Sequence, residues 1–341
     1  MNYRRVVVTR AGGPEVLRVV EDGLPEPRRG QVRVRVLMAG VSFGDVLMRI
    51  GAIPGEQPKL PFTPGYDIVG VVDELGAGVS SPEAGRAVVA LLDRGGGYAE
   101  FVCLPADRLV PVPDGLDPVE TVGAALNYFI AHQMLHRIAR VRSGERILVH
   151  GAAGGVGSAF LQLGRLAELE VYGTASGSKH PLVSDLGGIP IDYRNEDFVA
   201  RVRSLPGGGV DAVFDPIGGT NFWRSYRSLR TGGRFVAYGT SRAMRGGRRN
   251  RLVAVSSFAL AMLLKLIPDR RTSTFYTAGS LDKSQPGAYR EDLTTLLDLL
   301  AQKKIRPVVA ERLPLVEAAR AHELLDRSAV SGKIVLVCND T

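Results

Sequence analysis

The sequence predicts an α/β protein in which a doubly wound parallel sheet is joined to a β-barrel-type domain, and three observations predict it. A strand-like run, a glycine-rich turn and an amphipathic helix follow one another over residues 146–168. Strand-like and helix-like runs then alternate as far as 238, the pattern of βαβ units whose parallel sheet is covered on both faces. Before 122 the chain instead shows short β-like runs broken by Gly and Pro. A length of 341 residues suits two domains, because single cores stop growing beyond roughly 250–300 residues.

The N-terminal runs fall at 5–9, 15–20, 31–36, 68–72, 87–91 and 98–102. In the third, Val32, Val34 and Val36 alternate with Gln31, Arg33 and Arg35, the period-two pattern of a strand with one wet face. Gly12-Gly13-Pro14, Leu24-Pro25-Glu26-Pro27 and Gly95-Gly96-Gly97 supply turns, so a small, partly open barrel is expected. The middle of the chain reads as strand 146–150, helix 156–168, strand 170–174, helix 179–186, strand 189–192, helix 198–205, strand 210–215, helix 222–229 and strand 234–238. After 273 come a strand at 274–277, a helix with Leu293, Leu296, Leu297 and Leu300 on one face, a helix at 316–326 and a strand at 333–337. That is too little for a third core. Residues 274–341 are therefore expected to fold back onto 1–122, leaving 123–273 as the inserted parallel-sheet domain.

An apolar share of 45% with 23% charged residues excludes a disordered chain. Cys103 and Cys338 form neither a disulfide framework nor a paired-thiol metal site, which fits a reducing compartment. The first ten residues carry no secretory h-region, and the apolar run 252–268 is shorter than the ~20 residues of a bilayer span, so a cytoplasmic location is expected. The net charge of +8 gathers partly at Arg242, Arg245, Arg248, Arg249 and Arg251. Such a cluster suits anions, RNA or acidic lipid, or is a solvated loop; no nucleic-acid motif accompanies it, and no nucleic-acid partner is expected.

The turn itself carries the chemistry. Ala152, Gly154 and Gly157 occupy the G-x-G-x-x-G spacing with Ala in the first place. A dinucleotide needs a strand, a tight turn whose backbone approaches the pyrophosphate, and a helix whose free N–H groups and positive dipole end face the anion. Ala153, Gly154, Gly155 and Val156 are the candidate contacts. About 20 residues on, an Asp or Glu would accept the adenosine ribose hydroxyls. The chain instead offers Ser176 and Lys179, groups that would bond a 2′-phosphate, so NADPH is expected; Ser176 also reads as a cap for the helix that follows.

With these residues the chain resembles the zinc-independent quinone oxidoreductase branch of the medium-chain dehydrogenase/reductase superfamily. The resemblance covers nearly the whole chain and rests on Ala152-Ala-Gly-Gly-Val-Gly157, Leu60-Pro-Phe-Thr-Pro-Gly-Tyr-Asp-Ile-Val-Gly70, Asp215-Pro-Ile-Gly-Gly219, Gly233-Arg-Phe-Val-Ala-Tyr-Gly239 and Ser331-Gly-Lys-Ile-Val335. It implies a GroES-like catalytic domain, a Rossmann domain binding NADPH, a homodimer, and hydride transfer to a quinone or conjugated enone. It places Ser176, Lys179 and Tyr193 at the 2′-phosphate, and Asn127, Ile217 and Gly239 beside the nicotinamide. Zinc-using relatives present a Cys within the segment Val41-Ser-Phe-Gly-Asp45 and a His at Tyr66, so no metal is expected.

Ser42, Asp45 and Tyr66 are the catalytic candidates; Ser42 and Asp45 also fit a capping box, and Tyr66 a structural hydroxyl. Many quinone reductases have Asn where Ser42 stands, and enoyl-reducing relatives have a Tyr proton donor where Ile53 stands. An enoyl-thioester or polyketide-intermediate reductase is one alternative. An NADPH-binding protein acting through RNA, membrane or protein contacts of the Arg-rich loop is the other. The run 252–268 is expected as a helix near the cleft or the dimer interface.

Overall fold

The computed structural model describes residues 1–52, 58–245, 248–279, 281 and 284–339, and only the backbone of Met244, Arg245, Arg248, Arg249 and Arg251. Ile53 and the Gly246-Gly247 pair lie outside the described residues. The chain divides into two units, Met1–Phe129 with Gly287–Thr341, and Ile130–Pro286.

In the first unit the chain runs through strands β1 (Asn2–Val8), β2 (Leu17–Gly23), β3 (Gln31–Val41), β4 (Asp67–Leu75), β5 (Ala87–Leu91), β6 (Phe101–Pro105) and β7 (Val110–Pro111), with helix α1 (Phe43–Arg49) after β3 and α2 (Pro118–His132) at the end. Val32, Val34 and Val36 are fully buried, as their alternation requires. The run at 15–20 starts later than expected, because Pro14 opens a 3-10 turn over Pro14–Val16. The run at 98–102 is also displaced. Gly95 and Gly96 take positive φ, and the Tyr98 amide donates to Pro64 O, so the strand begins at Phe101.

The second unit contains β8 (Arg146–His150), α3 (Gly155–Leu166), β9 (Glu170–Ala175), α4 (His180–Asp185), β10 (Ile189–Asp192), α5 (Phe198–Arg203), β11 (Val210–Asp215), α6 (Thr220–Arg227) and β12 (Leu229–Ala237). A hairpin of β13 (Met244–Arg245) and β14 (Arg248–Arg249), helix α7 (Arg251–Leu263) and β15 (Thr272–Phe275) follow. The sheet order is β10-β9-β8-β11-β12-β15, all parallel, and the direction of winding reverses between β8 and β11. Ligands in such sheets bind at the carboxyl ends of the strands beside that reversal. Leu148, Val213, Phe222 and Phe235 are among its fully buried residues.

Helix α3 stops at Leu166 rather than 168, since Glu168 adopts a left-handed conformation at φ 55. The strand expected at 274–277 lies at Thr272–Phe275, as the sixth strand of the parallel sheet rather than part of the C-terminal return. Its residues Thr-Ser-Thr-Phe carry little apolar signal, because an edge strand has less to bury. The apolar run 252–268 forms α7 and a 3-10 turn, Leu264–Leu266. One face buries Ala254, Ser257, Ala261 and Leu264, while Leu252, Val255, Phe258, Leu263 and Leu266 are exposed.

The chain then returns to the first unit with α8 (Ala288–Ala301), β16 (Val309–Pro314), α9 (Ala318–Asp326) and β17 (Lys333–Val337). Strand β17 pairs antiparallel with β3, Ile334 facing Val41, so the two ends of the chain share one seven-strand sheet. Its core includes Val34, Ile68, Val88, Tyr98, Ile334 and Leu336. No helix among the described residues is long and apolar enough to cross a membrane.

Candidate functional site

The glycine turn of the second unit leaves β8 at its carboxyl end and enters α3. Gly151 takes φ 69, and Gly154, at the N-cap, supplies no side chain to cap the helix. The first amides of α3, at Gly155 and Val156, therefore have neither an intrahelical nor a side-chain acceptor. Gly157 lets helix and turn touch: a Cβ there would stand 2.2 Å from Gly151 O and 2.6 Å from Ala152 Cα. Ala153 is buried beneath the turn, and Gly154 is exposed. Backbone donors, a dipole end and an open approach are what a pyrophosphate requires.

Strand β9 ends beside it. Ala175 pairs with Asp192 of β10, so the next residues of the two strands, Ser176 and Tyr193, leave the sheet side by side. Ser176 opens a 3-10 turn, Gly177–Lys179, without capping it by its side chain; its hydroxyl lies 3.4 Å from that of Ser178. Lys179 closes the same turn, and Tyr193 is 53% exposed. One carboxylate nearby escaped the sequence reading. Asp192 Oδ2 would lie 3.2 Å from a Cβ on Gly177, but its oxygens accept from the Arg194 amide and Asn195 Nδ2, at 3.0 and 2.8 Å. The Arg194 amide leads in holding its pKa below the usual carboxylate value.

Across the reversal, the loops after β11 and β12 adjoin. The Ser241 amide donates to Pro216 O and the Arg242 amide to Ile217 O, both at 2.8 Å, and Gly239 would bring a Cβ within 3.0 Å of Pro216 O. Ile217 and Gly239 thus line neighbouring strand ends. Arg242 is more than a solvated loop residue, for its guanidinium reaches Thr220 Oγ1 at 3.2 Å.

The catalytic candidates lie in the first unit, where β3 turns into α1. Ser42 is the N-cap and forms a full capping box with Asp45. Asp45 is completely buried; Oδ2 accepts from the Ser42 amide at 2.8 Å and the Ser42 hydroxyl at 2.7 Å, and Oδ1 from the Gly65 amide at 2.7 Å. Burial pushes its pKa up to about 6 against these bonds. Ser42 spends its one proton on Asp45. Tyr66 is different: it is half-buried, and its hydroxyl meets no partner among the described residues. Burial and the Asp45 charge raise its pKa, so the phenol remains a proton-bearing donor. A Cβ on Gly44 would stand 3.0 Å from the Tyr66 ring, so that glycine in α1 sets where the ring lies.

Asn127, on α2, is 7% exposed. Next to Tyr66, Asp67 faces Lys333 of β17 at 2.8 Å, both buried, a pair the sequence reading did not find. Only Gly leaves room for it at position 40, where a Cβ would stand 2.3 Å from Asp67 Oδ2 and 2.4 Å from Lys333 Cε.

Comparison with known proteins agrees with this frame. Residues 28–114 match the family described as alcohol dehydrogenase GroES-like domain, and 188–336 match zinc-binding dehydrogenase. A quinone oxidoreductase of Rattus norvegicus is 30% identical over 339 residues, covering 98% of this chain and 97% of the relative. The chain belongs to the quinone oxidoreductase branch of the medium-chain dehydrogenase/reductase superfamily. The synaptic vesicle membrane protein VAT-1 homolog of the same species is 34% identical over 342 residues, 98% of this chain and 84% of the relative. The structure of Escherichia coli quinone oxidoreductase complexed with NADPH superposes with a TM-score of 0.85 at 27% identity, covering 98% of this chain and 99% of that one.

Zinc, implied by one family description, does not fit the donor set of this member of the branch. Among the described residues no three His, Cys, Asp or Glu side chains gather as a metal ion would need. Asp67 already faces an ammonium, and Asp45 is filled by backbone and hydroxyl donors.

Proposed function

We propose that this oxidoreductase binds NADPH and reduces a quinone or a conjugated enone. One observation carries the reading: an uncapped helix N-terminus at the strand-order reversal stands beside a second strand followed by Ser176 and Lys179, where a carboxylate would reject a 2′-phosphate. Bound there, the cofactor supplies a hydride.

The protein's own residues bind and orient. Amides of Gly155 and Val156 hold the pyrophosphate, aided by the α3 dipole, while Ser176, Lys179 and Tyr193 hold the 2′-phosphate. Ile217 and Gly239, on the adjoining loops after β11 and β12, pack against the nicotinamide. Tyr66, its proton uncommitted, donates a hydrogen bond to the substrate oxygen and stabilises the charge that develops there. Asp45 acts through the Ser42 and Gly65 amides, fixing the turn that presents Tyr66.

The test follows NADPH absorbance with a panel of quinones and enones. Consumption with at least one acceptor is expected, and Lys179→Ala should weaken NADPH binding about tenfold or more while leaving NADH binding nearly unchanged, since only the former loses a charge-assisted hydrogen bond. Equal loss for both cofactors removes the phosphate role, and no consumption with any acceptor removes the enzyme reading.

A further inference from the structure

A chain of buried polar side chains runs beneath the carboxyl edge of the parallel sheet. His150, the last residue of β8, pairs in register with Thr174 of β9, and Phe214 pairs with Val149, which brings Asp215 level with His150. Three adjacent strands thus carry a polar residue at one level near their carboxyl ends. Helix α6 adds Asn221 and Ser225, four residues apart and so on one face. All five are less than 10% exposed.

Their hydrogen bonds can have only one direction. Asp215 Oδ1 accepts from the Ile217 amide at 2.6 Å, and Oδ2 accepts from Asn221 Nδ2 at 2.8 Å and Ser225 Oγ at 2.6 Å. A carboxylate only accepts, so the Ser225 proton points at Asp215. Ser225 Oγ must then accept from His150 Nε2, 2.9 Å away, which places the imidazole proton on Nε2. Burial lowers the pKa of His150, keeping the ring neutral, so Nδ1 is an acceptor and takes the Thr174 hydroxyl proton at 3.0 Å. Thr174 Oγ1 in turn accepts from the Gly151 amide at 3.3 Å. An unbroken run of donors therefore leads from the glycine turn to the carboxylate that also fixes the Ile217 amide.

We propose that this relay ties the pyrophosphate turn to the loop after β11, so that Thr174, His150 and Ser225 are positioning residues that hold the two ends of the dinucleotide site in one spacing. The inference rests on the cofactor reading above and extends it to residues that touch no ligand. A rigid spacing matters because the bound molecule spans both loops, and its nicotinamide must meet the loop while its phosphates sit on the turn.

A double-mutant cycle tests it on the full chain. Thr174→Val removes one hydroxyl at constant shape, and Ser225→Ala removes the other with little change in volume; each deletes a single link. Fluorescence titration measures binding of NADPH and of 2′-phospho-ADP-ribose, which lacks the nicotinamide. Each single variant is expected to weaken NADPH binding about fivefold, the double variant no more than either single, and the fragment by less than twofold in every case. Multiplying effects would show independent contacts and overturn the relay, as would equal weakening of NADPH and fragment, or no weakening in either single variant. If the unaltered protein binds neither ligand, the cofactor reading falls first and the relay with it; if it binds both and the variants match it, only the relay falls.

Discussion

Asp45 shows what a buried carboxylate does to the energetics of this fold. Its pKa is raised to about 6 from 3.8 by burial. A raised folded-state value means that the group's contribution to stability is fully present below the unfolded pKa and is lost as pH rises through about 6. For the isolated group the shift corresponds to at most about 3 kcal/mol. Asp45→Asn does not titrate, so the stability difference between the unaltered protein and this variant should narrow between pH 4 and pH 7, always in the direction of less advantage for Asp at higher pH. Urea denaturation at the two pH values measures it; a difference that widens with pH would mean the carboxylate is held by its three donors more strongly than burial opposes it. The S-x-x-D spacing made the cap legible from sequence. Complete burial was not, because Gly65, which supplies the third donor, is brought in from 20 positions away.

Among elements, the strand–turn–helix at 146–166 was the most legible, since all its determinants are local: apolar runs of the right length around glycines at fixed spacing. Pairs distant in sequence carry no such periodicity. Asp67 and Lys333 are 266 positions apart, and His150 and Ser225 are 75 apart, so no local pattern announces either contact. The same locality makes a sharp prediction at Gly157. A methyl there would meet the backbone of Gly151 and Ala152, which cannot rotate away as a side chain can. Gly157→Ala should therefore lift α3 from the turn, lowering stability by about 1–3 kcal/mol and weakening NADPH binding with it. Gly23→Ala provides the comparison, because a Cβ there meets nothing within 4 Å and its φ is not positive. Thermal denaturation of both variants decides the point: similar melting temperatures would show that the turn yields.

For the molecule as a whole, length predicted two units, but it did not show where an apolar surface would be left over. That surface is on α7 and the 3-10 turn that follows it, where Leu252, Val255 and Leu266 are 82%, 67% and 77% exposed. Five large apolar side chains along α7 and the 3-10 turn after it exceed the scattered exposure of an ordinary surface. The helix packs on β15 through Phe258 against Phe275, at 5.5 Å between rings, and β15 ends the sheet order with an outer edge unpaired among the described residues. An apolar face beside an open strand edge is best satisfied by the same two features of another copy, related by a two-fold axis. On this argument a homodimer is expected, with the second copy as the occupant of the face. Light scattering on the eluting protein should give twice the 36.6 kDa chain mass, and Val255→Asp with Leu263→Asp, both at exposed positions, should give the monomer while leaving NADPH binding in place. A monomeric unaltered protein at tens of micromolar would end the dimer assignment, and co-sedimentation of that monomer with anionic vesicles, lost in the double variant, would assign the same face to a membrane surface instead.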